Sequence, residues 1–540
     1  MSRVQSAATL FLRNAESDEI AARFEERAFT YRELATESLR RAALWDHLRD
    51  RTKPPHIGVL LDNTPDYLFW LGAAAISRSA IVGINATYRG AELARLIDHS
   101  DCQLLVTSDA YAGILAEAPN SVEPGHVLET GTARYAGLLA AADVNREWEP
   151  QQADDPFLLI FTSGSTGFPK AVRCTQGRFV TTGRGGASVG KLGPGKAVYA
   201  PLPMFHSSAL FTGLSSALNG SVPFGTRSKF SASRTMSDVR GMGATMLAYT
   251  GKVLNYILAV PASLDDASSP LELALGNEAS EGDIREFAAR FHCTVRDSYG
   301  STEGLIIIRR ESSMPPGALG TADGTIAVFD PETIEECPRA QFDDDGRLLN
   351  AGEAVGEIVN TDSGAMFEGY YRNEDARSSK VRGGIYWSGD LAYRDEEGWF
   401  YFAGRSNEWL RVDSENFAAA PVERIVSRHA QVRSAAVYAV PDELVGDRVM
   451  VAIEVSDTEP FDVEEFDEFL GQQRDLGTKW MPSFVRVAGE LPKLASMKLD
   501  KTRLRREAWL VPAVSWRPAR GDRLRPMTSA DAEGLAHLLP

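Results

Sequence analysis

Cysteine is scarce in this chain: four among 540 residues, Cys102, Cys174, Cys293 and Cys337, at no paired spacing. That excludes a disulfide framework or a cysteine-built metal centre and fits reduced thiols of a cytosolic protein. Basic charge is short as well. Lys and Arg total 57 against 74 Asp and Glu, a net charge of -17, which argues against general nucleic-acid or anionic-membrane binding while leaving room for a local basic patch. Long apolar runs are missing. The best candidate, 67–86, is interrupted by Arg78 and falls short of the roughly 20 mostly apolar residues of a spanning helix. Peripheral membrane contact stays open. Met1-Ser2-Arg3-Val4-Gln5 is not a charged segment leading into an apolar core, so no secretion signal is expected and the expected location is cytoplasmic. There is no internal repeat or low-complexity tract, and oligomeric state is not legible.

What is present is an ordinary globular composition, 44% hydrophobic and 24% charged, in a chain too long for one compact core. Thr30-Tyr31-Arg32-Glu33 fits a capping box, and apolar residues follow at helical spacing as far as Trp45. Strands are expected at 57–61, 80–84 and 103–106, with a helix starting at Asn63-Thr64-Pro65. Strands alternating with helices imply a doubly wound, mostly parallel α/β sheet, which places ligands at loops beyond the carboxyl ends of strands. A second alternating set spans 197–299, with a strand at 271–275 and a helix burying Ile284, Phe287, Ala288 and Phe291. From 324 to 403 the pattern becomes short β segments (326–329, 356–360, 399–403) separated by acidic turns such as Asp395-Glu396-Glu397-Gly398, a small β lobe. Beyond Gly404 a compact α+β unit follows, with helices at 421–429 and 463–470 and strands at 435–440 and 449–455. The expected domains are therefore 1–403 and 404–540. The tail past Trp516, rich in Pro, Arg and Gly, is expected to be poorly ordered.

The chain is organised around one stretch. Phe157-Leu158-Leu159-Ile160-Phe161 has the character of a buried strand and hands over to Thr162-Ser163-Gly164-Ser165-Thr166-Gly167-Phe168-Pro169-Lys170. Glycines there let the backbone approach a phosphate chain, the four hydroxyls donate, and Lys170 adds charge. A Walker loop is excluded because Gly167 is followed by Phe168-Pro169. A Ser/Gly-rich linker is the alternative, although linkers seldom sit directly behind a buried strand.

This loop resembles the signature loop of the adenylate-forming enzymes, which include acyl-CoA synthetases, luciferases and peptide-synthetase adenylation domains. The resemblance runs over about 20–510. It implies that Thr162, Ser163, Gly164, Ser165, Thr166, Gly167 and Lys170 hold the β- and γ-phosphates of ATP. Asp297-Ser298-Tyr299-Gly300-Ser301-Thr302-Glu303 resembles the second signature: Tyr299 against adenine, Thr302 at the α-phosphate, and Glu303, with Thr162, at Mg²⁺. A carboxylate suits a hard cation and an aromatic face suits a purine. Alone, the segment reads equally well as a glycine turn with a solvated glutamate.

Leu273-Ala274-Leu275-Gly276-Asn277-Glu278-Ala279 is by resemblance the strand and turn lining adenine and the acyl tunnel, with Gly276 and Gly300 bordering the acid. Pro203-Met204-Phe205-His206 resembles the motif whose histidine borders the acyl pocket; the resemblance implies that His206 serves the pocket's shape, since a carboxylate ionised at pH 7 needs no base. Trp387-Ser388-Gly389-Asp390 is similar to the aspartate motif that accepts hydrogen bonds from the ribose, with Arg405 as second ribose contact. The resemblance also implies a hinge at Asn407 and a CoA path along Arg411, Ser414 and Glu415. Leu491-Pro492-Lys493-Leu494-Ala495-Ser496-Met497-Lys498-Leu499-Asp500-Lys501 resembles the loop delivering the catalytic lysine, here Lys498. Without the family, Lys498, Lys501, Arg503, Arg505 and Arg506 read as the solvated face of a terminal helix.

The stretch 404–417 looks most like long-chain and very-long-chain acyl-CoA synthetases of the fatty-acid-transport type, whose bacterial branch includes enzymes acting on steroid side-chain acids. Ser165 replaces a common threonine, Asn407 a frequent aspartate or lysine, and Ser414 a usual glycine. The expectation is an ATP-dependent fatty acyl-CoA ligase using ATP, Mg²⁺ and CoA, its 1–403 domain binding ATP and acid and its mobile 404–540 domain carrying Lys498. The alternatives are a steroid side-chain acid CoA ligase, an acyl-AMP ligase loading a separate carrier protein, and a fatty-acid uptake or binding protein. Against the carrier loader, no Asp-Ser phosphopantetheine segment follows the C-terminal unit.

Overall fold

The computed structural model describes residues 6–539 apart from 163–168, 312, 344–347, 406–408, 413–414, 443–445, 456–459, 474–475, 478, 495–498 and 520. The chain forms two compact units, Met1–Gly304 with Met366–Ser378, and Leu305–Ala365 with Ser379–Pro540.

Local chemistry sets the elements of the first unit. The capping box at Thr30 and Glu33 starts the helix Tyr31–Leu48, and Thr64 caps Pro65–Ile76 with proline in its first turn, where its missing N–H costs nothing. One sheet runs in the order Val127–Glu129, Cys102–Thr107, His56–Leu60, Ala80–Gly83, Pro156–Thr162, Lys170–Thr175. Its pairs are parallel until the last, where Pro156–Thr162 turns back antiparallel on Lys170–Thr175. A second sheet places Thr294–Gly300, Leu273–Asn277, Met246–Thr250, Val198–Tyr199, Phe224–Thr226 and Ile20–Phe24 side by side and parallel, with Arg27–Thr30 antiparallel at one end. Strands buried on both faces read as continuous apolar runs, and Phe157, Leu158, Leu159 and Ile160 are all buried. Helix Glu281–Phe291 buries Phe287 and Phe291 completely.

In the second unit the β lobe is antiparallel: Ile326–Phe329, Gly356–Asn360, Ile385–Arg394 and Phe400–Arg405 pair in succession. Asp395 closes the acidic hairpin, accepting from the Trp399 amide at 2.8 Å and the Tyr401 hydroxyl at 2.9 Å. A separate sheet carries Glu415–Ala418, Trp409–Val412, Gly446–Val455, Phe484–Ala488 and Val514–Trp516 in order, with Val432–Asp442 also on Gly446–Val455. Helices Ala419–Val426 and Val463–Gln472 bury Val422, Ile425, Phe466 and Leu470 against it. Large sheet domain, β lobe and smaller C-terminal α+β portion are thus the α/β architecture expected.

The tail departs from expectation. Arg525–Pro526 pairs with Val514–Trp516, Leu524 is buried, and Ser529–Leu535 is a helix with its own capping box at Thr528 and Asp531. Two of its arginines hold it in place. Arg517 is buried and ion-paired with Asp467, and Arg525 stacks 5.2 Å from the Trp516 ring centre while bridging Asp531 at 2.9 Å.

All four cysteines are free and buried; burial pushes the Cys174 thiol up to about 12 and Cys337 to about 11, which makes them unreactive at neutral pH. Among the described residues no helix is long and apolar enough to cross a membrane.

Candidate active site

The two ends of the phosphate-loop candidate, Thr162 and Lys170, belong to an antiparallel pair. Thr162 is opposite Lys170 in register, and its hydroxyl donates to the Lys170 carbonyl at 3.5 Å. Ser163, Gly164, Ser165, Thr166 and Gly167, between those paired ends, lie outside the described residues. The Lys170 ammonium stands over the Tyr370 ring, 5.3 Å from its centre, and the Tyr370 hydroxyl donates to Glu303 Oε1 at 2.7 Å. One aromatic ring therefore joins the first motif to the second. Burial, then the adjacent Glu303 charge, pushes the Tyr370 phenol far above its ordinary range, so it serves as a donor at physiological pH.

Thr302 and Glu303 follow the strand Thr294–Gly300. The Thr302 hydroxyl is 3.3 Å from that of Ser207, the residue after His206, and its carbonyl accepts from the Arg178 guanidinium. Arg178 also donates to the Arg173 carbonyl at 2.9 Å and packs over Phe211 at 5.6 Å. His206 precedes a π-helical stretch, Ser208–Ser215, and its ring lies 4.7 Å from that of Phe205.

Gly276 and Asp297 are register partners on adjacent parallel strands. Asp297 Oδ2 accepts from the Tyr249 hydroxyl at 2.7 Å and the Ala279 amide at 3.1 Å, tying three strand ends together. Asn277 Oδ1 accepts from the Thr250 hydroxyl at 2.6 Å, and the Ser298 hydroxyl reaches the Gly276 carbonyl at 3.5 Å. These ends, with Tyr299, Gly300 and Ser301 beyond them, stand at the carboxyl edge of a parallel sheet, where α/β folds bind ligands.

In the second unit Asp390 and Arg405 are direct cross-strand partners. The Asp390 amide donates to the Ser388 hydroxyl at 3.0 Å. Beneath them Glu357 is buried, accepts from the Gly389 amide and lies 3.4 Å from Arg382; burial raises its carboxyl above the ordinary range. Arg411 is opposite Asn416, and Val412 opposite Glu415, in a hairpin. Ser414, Asn407 and Lys498 lie outside the described residues, but the ends flanking Lys498 are placed: Lys493 bridges Leu499 as an isolated antiparallel pair, and the Asp500 amide donates to the Pro492 carbonyl at 2.8 Å.

The donor set fits Mg²⁺. The described residues contain no cluster of three or more His, Cys, Asp or Glu able to hold a metal, and Mg²⁺ commonly takes only one or two carboxylates plus substrate phosphates, which Glu303 beside the loop mouth suits. Sequence reasoning missed Ser207, Arg178 and Tyr370. Neighbourhood to His206 could have flagged Ser207; Arg178 and Tyr370 carry no local pattern.

Several solved structures share this fold. One of an anthranilate CoA ligase, AuaEII, in complex with anthranoyl-AMP superposes with a TM-score of 0.80 at 17% identity, covering 94% of this chain and 98% of its own. ATP-bound MatB from Rhodopseudomonas palustris gives 0.77 at 21% identity, over 93% and 98%. In sequence, a steroid-22-oyl-CoA synthetase of Rhodococcus jostii is 44% identical over 94% of this chain and 92% of its own length. A medium/long-chain-fatty-acid–CoA ligase of Mycobacterium marinum is 43% identical over 86% and 88%. The family model described as AMP-binding enzyme matches residues 11–371 and that of the AMP-binding enzyme C-terminal domain matches 421–498: the chain belongs to the AMP-binding enzyme family.

Proposed function

We propose that this protein is an ATP-dependent acyl-CoA synthetase that converts a fatty, long-chain carboxylic acid through an acyl-adenylate to its CoA thioester. The observation that carries the reading is the meeting of Lys170 and Glu303 on the single ring of Tyr370, which sets a cation and a carboxylate on either side of one aromatic ring.

The chemistry follows from charge. A carboxylate oxygen attacks the α-phosphorus of ATP, the bond to the bridging oxygen breaks, and pyrophosphate leaves. Two anions must meet, so cationic groups fixed beforehand lower the barrier. Lys170 serves the β- and γ-phosphates and Thr302 the α-phosphate, while Lys498 arrives with the C-terminal domain. Mg²⁺, held by Glu303 and Thr162, would supply charge neutralisation on the phosphates. Asp390 and Arg405 bind the ribose, and Tyr299 lies on adenine. Once the mixed anhydride exists, the CoA thiolate attacks its carbonyl and AMP departs, a reaction closed to the free carboxylate.

The functional division is 1–403 and 404–540. It is supported by the change of sheet between Phe400–Arg405 and Trp409–Val412. Rotation about Asn407 exchanges Lys498 for the Arg411, Ser414 and Glu415 path of CoA, and the enzyme works in the cytoplasm. A second reading, a steroid side-chain acid as substrate, is favoured by the relative from Rhodococcus jostii. AMP release measured with medium, long-chain and steroidal acids, each with CoA, separates the two. A preference for steroidal acids would replace the fatty-acid reading, and acid-dependent pyrophosphate exchange without any stimulation of AMP release by CoA would favour carrier loading.

A further inference from the structure

Residues 366–378 belong with the first unit although the chain on both sides of them belongs to the second. This returning segment lies along the exposed edge of Lys170–Thr175. The Arg173 amide donates to the Gly369 carbonyl at 3.1 Å, Tyr370 forms an antiparallel bridge with Val172, and the Tyr371 amide donates to the Ala171 carbonyl at 2.8 Å. Edge strands need such cover. Cover alone, however, does not account for the side chains.

Glu368 accepts from the Thr175 hydroxyl at 2.7 Å and the Thr175 amide at 2.9 Å, and lies 3.8 Å from Arg178. Arg178 in turn holds the Thr302 carbonyl. Two residues on, Tyr370 takes Glu303 Oε1 at 2.7 Å beneath the Lys170 ammonium. Adjacent residues of the second motif are thus held from one segment, Thr302 through Glu368 and Arg178, Glu303 directly through Tyr370.

We propose that Met366–Ser378 is a positioning strap for the metal-nucleotide site, with Tyr370 as the positioning residue that aims the Glu303 carboxylate at the magnesium ion. The proposal rests on the reading of Glu303 as the magnesium-binding carboxylate. With Oε1 engaged by the phenol, Oε2 is left for the cation, and the carboxylate is fixed in rotation before the nucleotide arrives. Hydrogen bonds of this kind, one shell out from a metal, typically change metal affinity by about 10-fold to 100-fold when removed.

The test is Tyr370→Phe, which keeps the ring under Lys170 and removes only the donor, compared with Glu303→Gln and the unsubstituted protein. Two quantities are read: the Mg²⁺ concentration giving half-maximal acid-dependent ATP–pyrophosphate exchange, and Mn²⁺ affinity in the presence of a non-hydrolysable ATP analogue, from the free Mn²⁺ electron paramagnetic resonance signal. Tyr370→Phe is expected to raise the half-maximal Mg²⁺ concentration and to weaken Mn²⁺ binding, each by about tenfold, with exchange at saturating Mg²⁺ restored to within about twofold and the thermal midpoint without nucleotide unchanged. If Glu303→Gln shifts both quantities while Tyr370→Phe shifts neither, the strap proposal is overturned and the Glu303 reading stands. If Glu303→Gln shifts neither, the reading of Glu303 fails and the strap proposal with it. A Tyr370→Phe variant losing exchange at every Mg²⁺ concentration, with Mn²⁺ affinity intact, also overturns the proposal.

Discussion

Gly276 lies against the backbone of Tyr249 so tightly that a β-carbon placed on it would stand 2.2 Å from the Tyr249 carbonyl oxygen. Both belong to adjacent parallel strands and are register partners, and Gly276 is paired on its other side with Asp297. The close approach lets Asp297 reach the Tyr249 hydroxyl and the Ala279 amide with one oxygen.

Gly276→Ala must therefore push the strands apart. Overpacking of this kind costs about 1–3 kcal/mol. The variant is expected to melt lower and to accept a narrower range of acids, read by thermal unfolding and the AMP-release panel; an unchanged profile and midpoint would separate Gly276 from the acyl pocket.

Lys498→Ala is expected to slow acid-dependent pyrophosphate exchange by at least about 100-fold, the usual scale for removing one group that stabilises developing charge, while thioester formation from a preformed acyl-adenylate and CoA continues. Exchange at the unsubstituted rate would take the catalytic assignment away from Lys498.

For Asp390→Ala the expected effect is on ATP. Hydrogen bonds to a charged group contribute about 1.5–3 kcal/mol each, so the KM for ATP should rise about tenfold or more with little change in the KM for the acid. ATP saturation curves check this, and coincident curves would remove Asp390 from the site.

Arg178→Lys keeps the charge but loses the planar fork that spans the Thr302 and Arg173 carbonyls. A fall of about tenfold in kcat for adenylation is expected, the size of an effect transmitted through a supporting hydrogen bond, with thermal stability nearly unaffected. Equal losses in kcat and stability would indicate a purely structural role.

Stability should weaken on the acid side. Burial holds His56, His99 and His429 below the ordinary histidine range, and His429 sits among the rings of Phe461, Phe466 and Phe469 at 5.7, 5.3 and 5.0 Å. The unfolded chain binds protons at these residues more readily than the folded one, so stability is whole above the unfolded pKa of about 6.5 and falls as pH drops below it, by at most about 1.4 kcal/mol per pH unit for each. His429→Phe should shallow the decline in melting temperature between about pH 6.5 and 5; an identical slope would exclude His429 from it.

Much of this molecule was written locally. The capping box at Thr30, the Thr64-Pro65 helix start, the lobe strands Ile326–Phe329 and Gly356–Asn360 and the acidic hairpin at Asp395 all follow from neighbours within a few residues, where side-chain pattern and backbone preference act directly. The composition of the tail misled because Arg517 finds a distant partner in Asp467 and Arg525 packs across a strand pair on the Trp516 face.

By itself the sequence determined the alternation that makes the parallel sheets, the hydroxyl-rich stretch after Pro156–Thr162, and the runs of residues from which a nucleotide site is built. Only the tertiary structure decided which of those groups meet: that Tyr370 comes back to stand between Lys170 and Glu303, and that Arg178 holds the Thr302 carbonyl. The physical reason is range. A strand or a cap is stabilised by atoms a few bonds away, whereas these contacts join residues up to about two hundred positions apart and exist only once the chain has crossed back on itself.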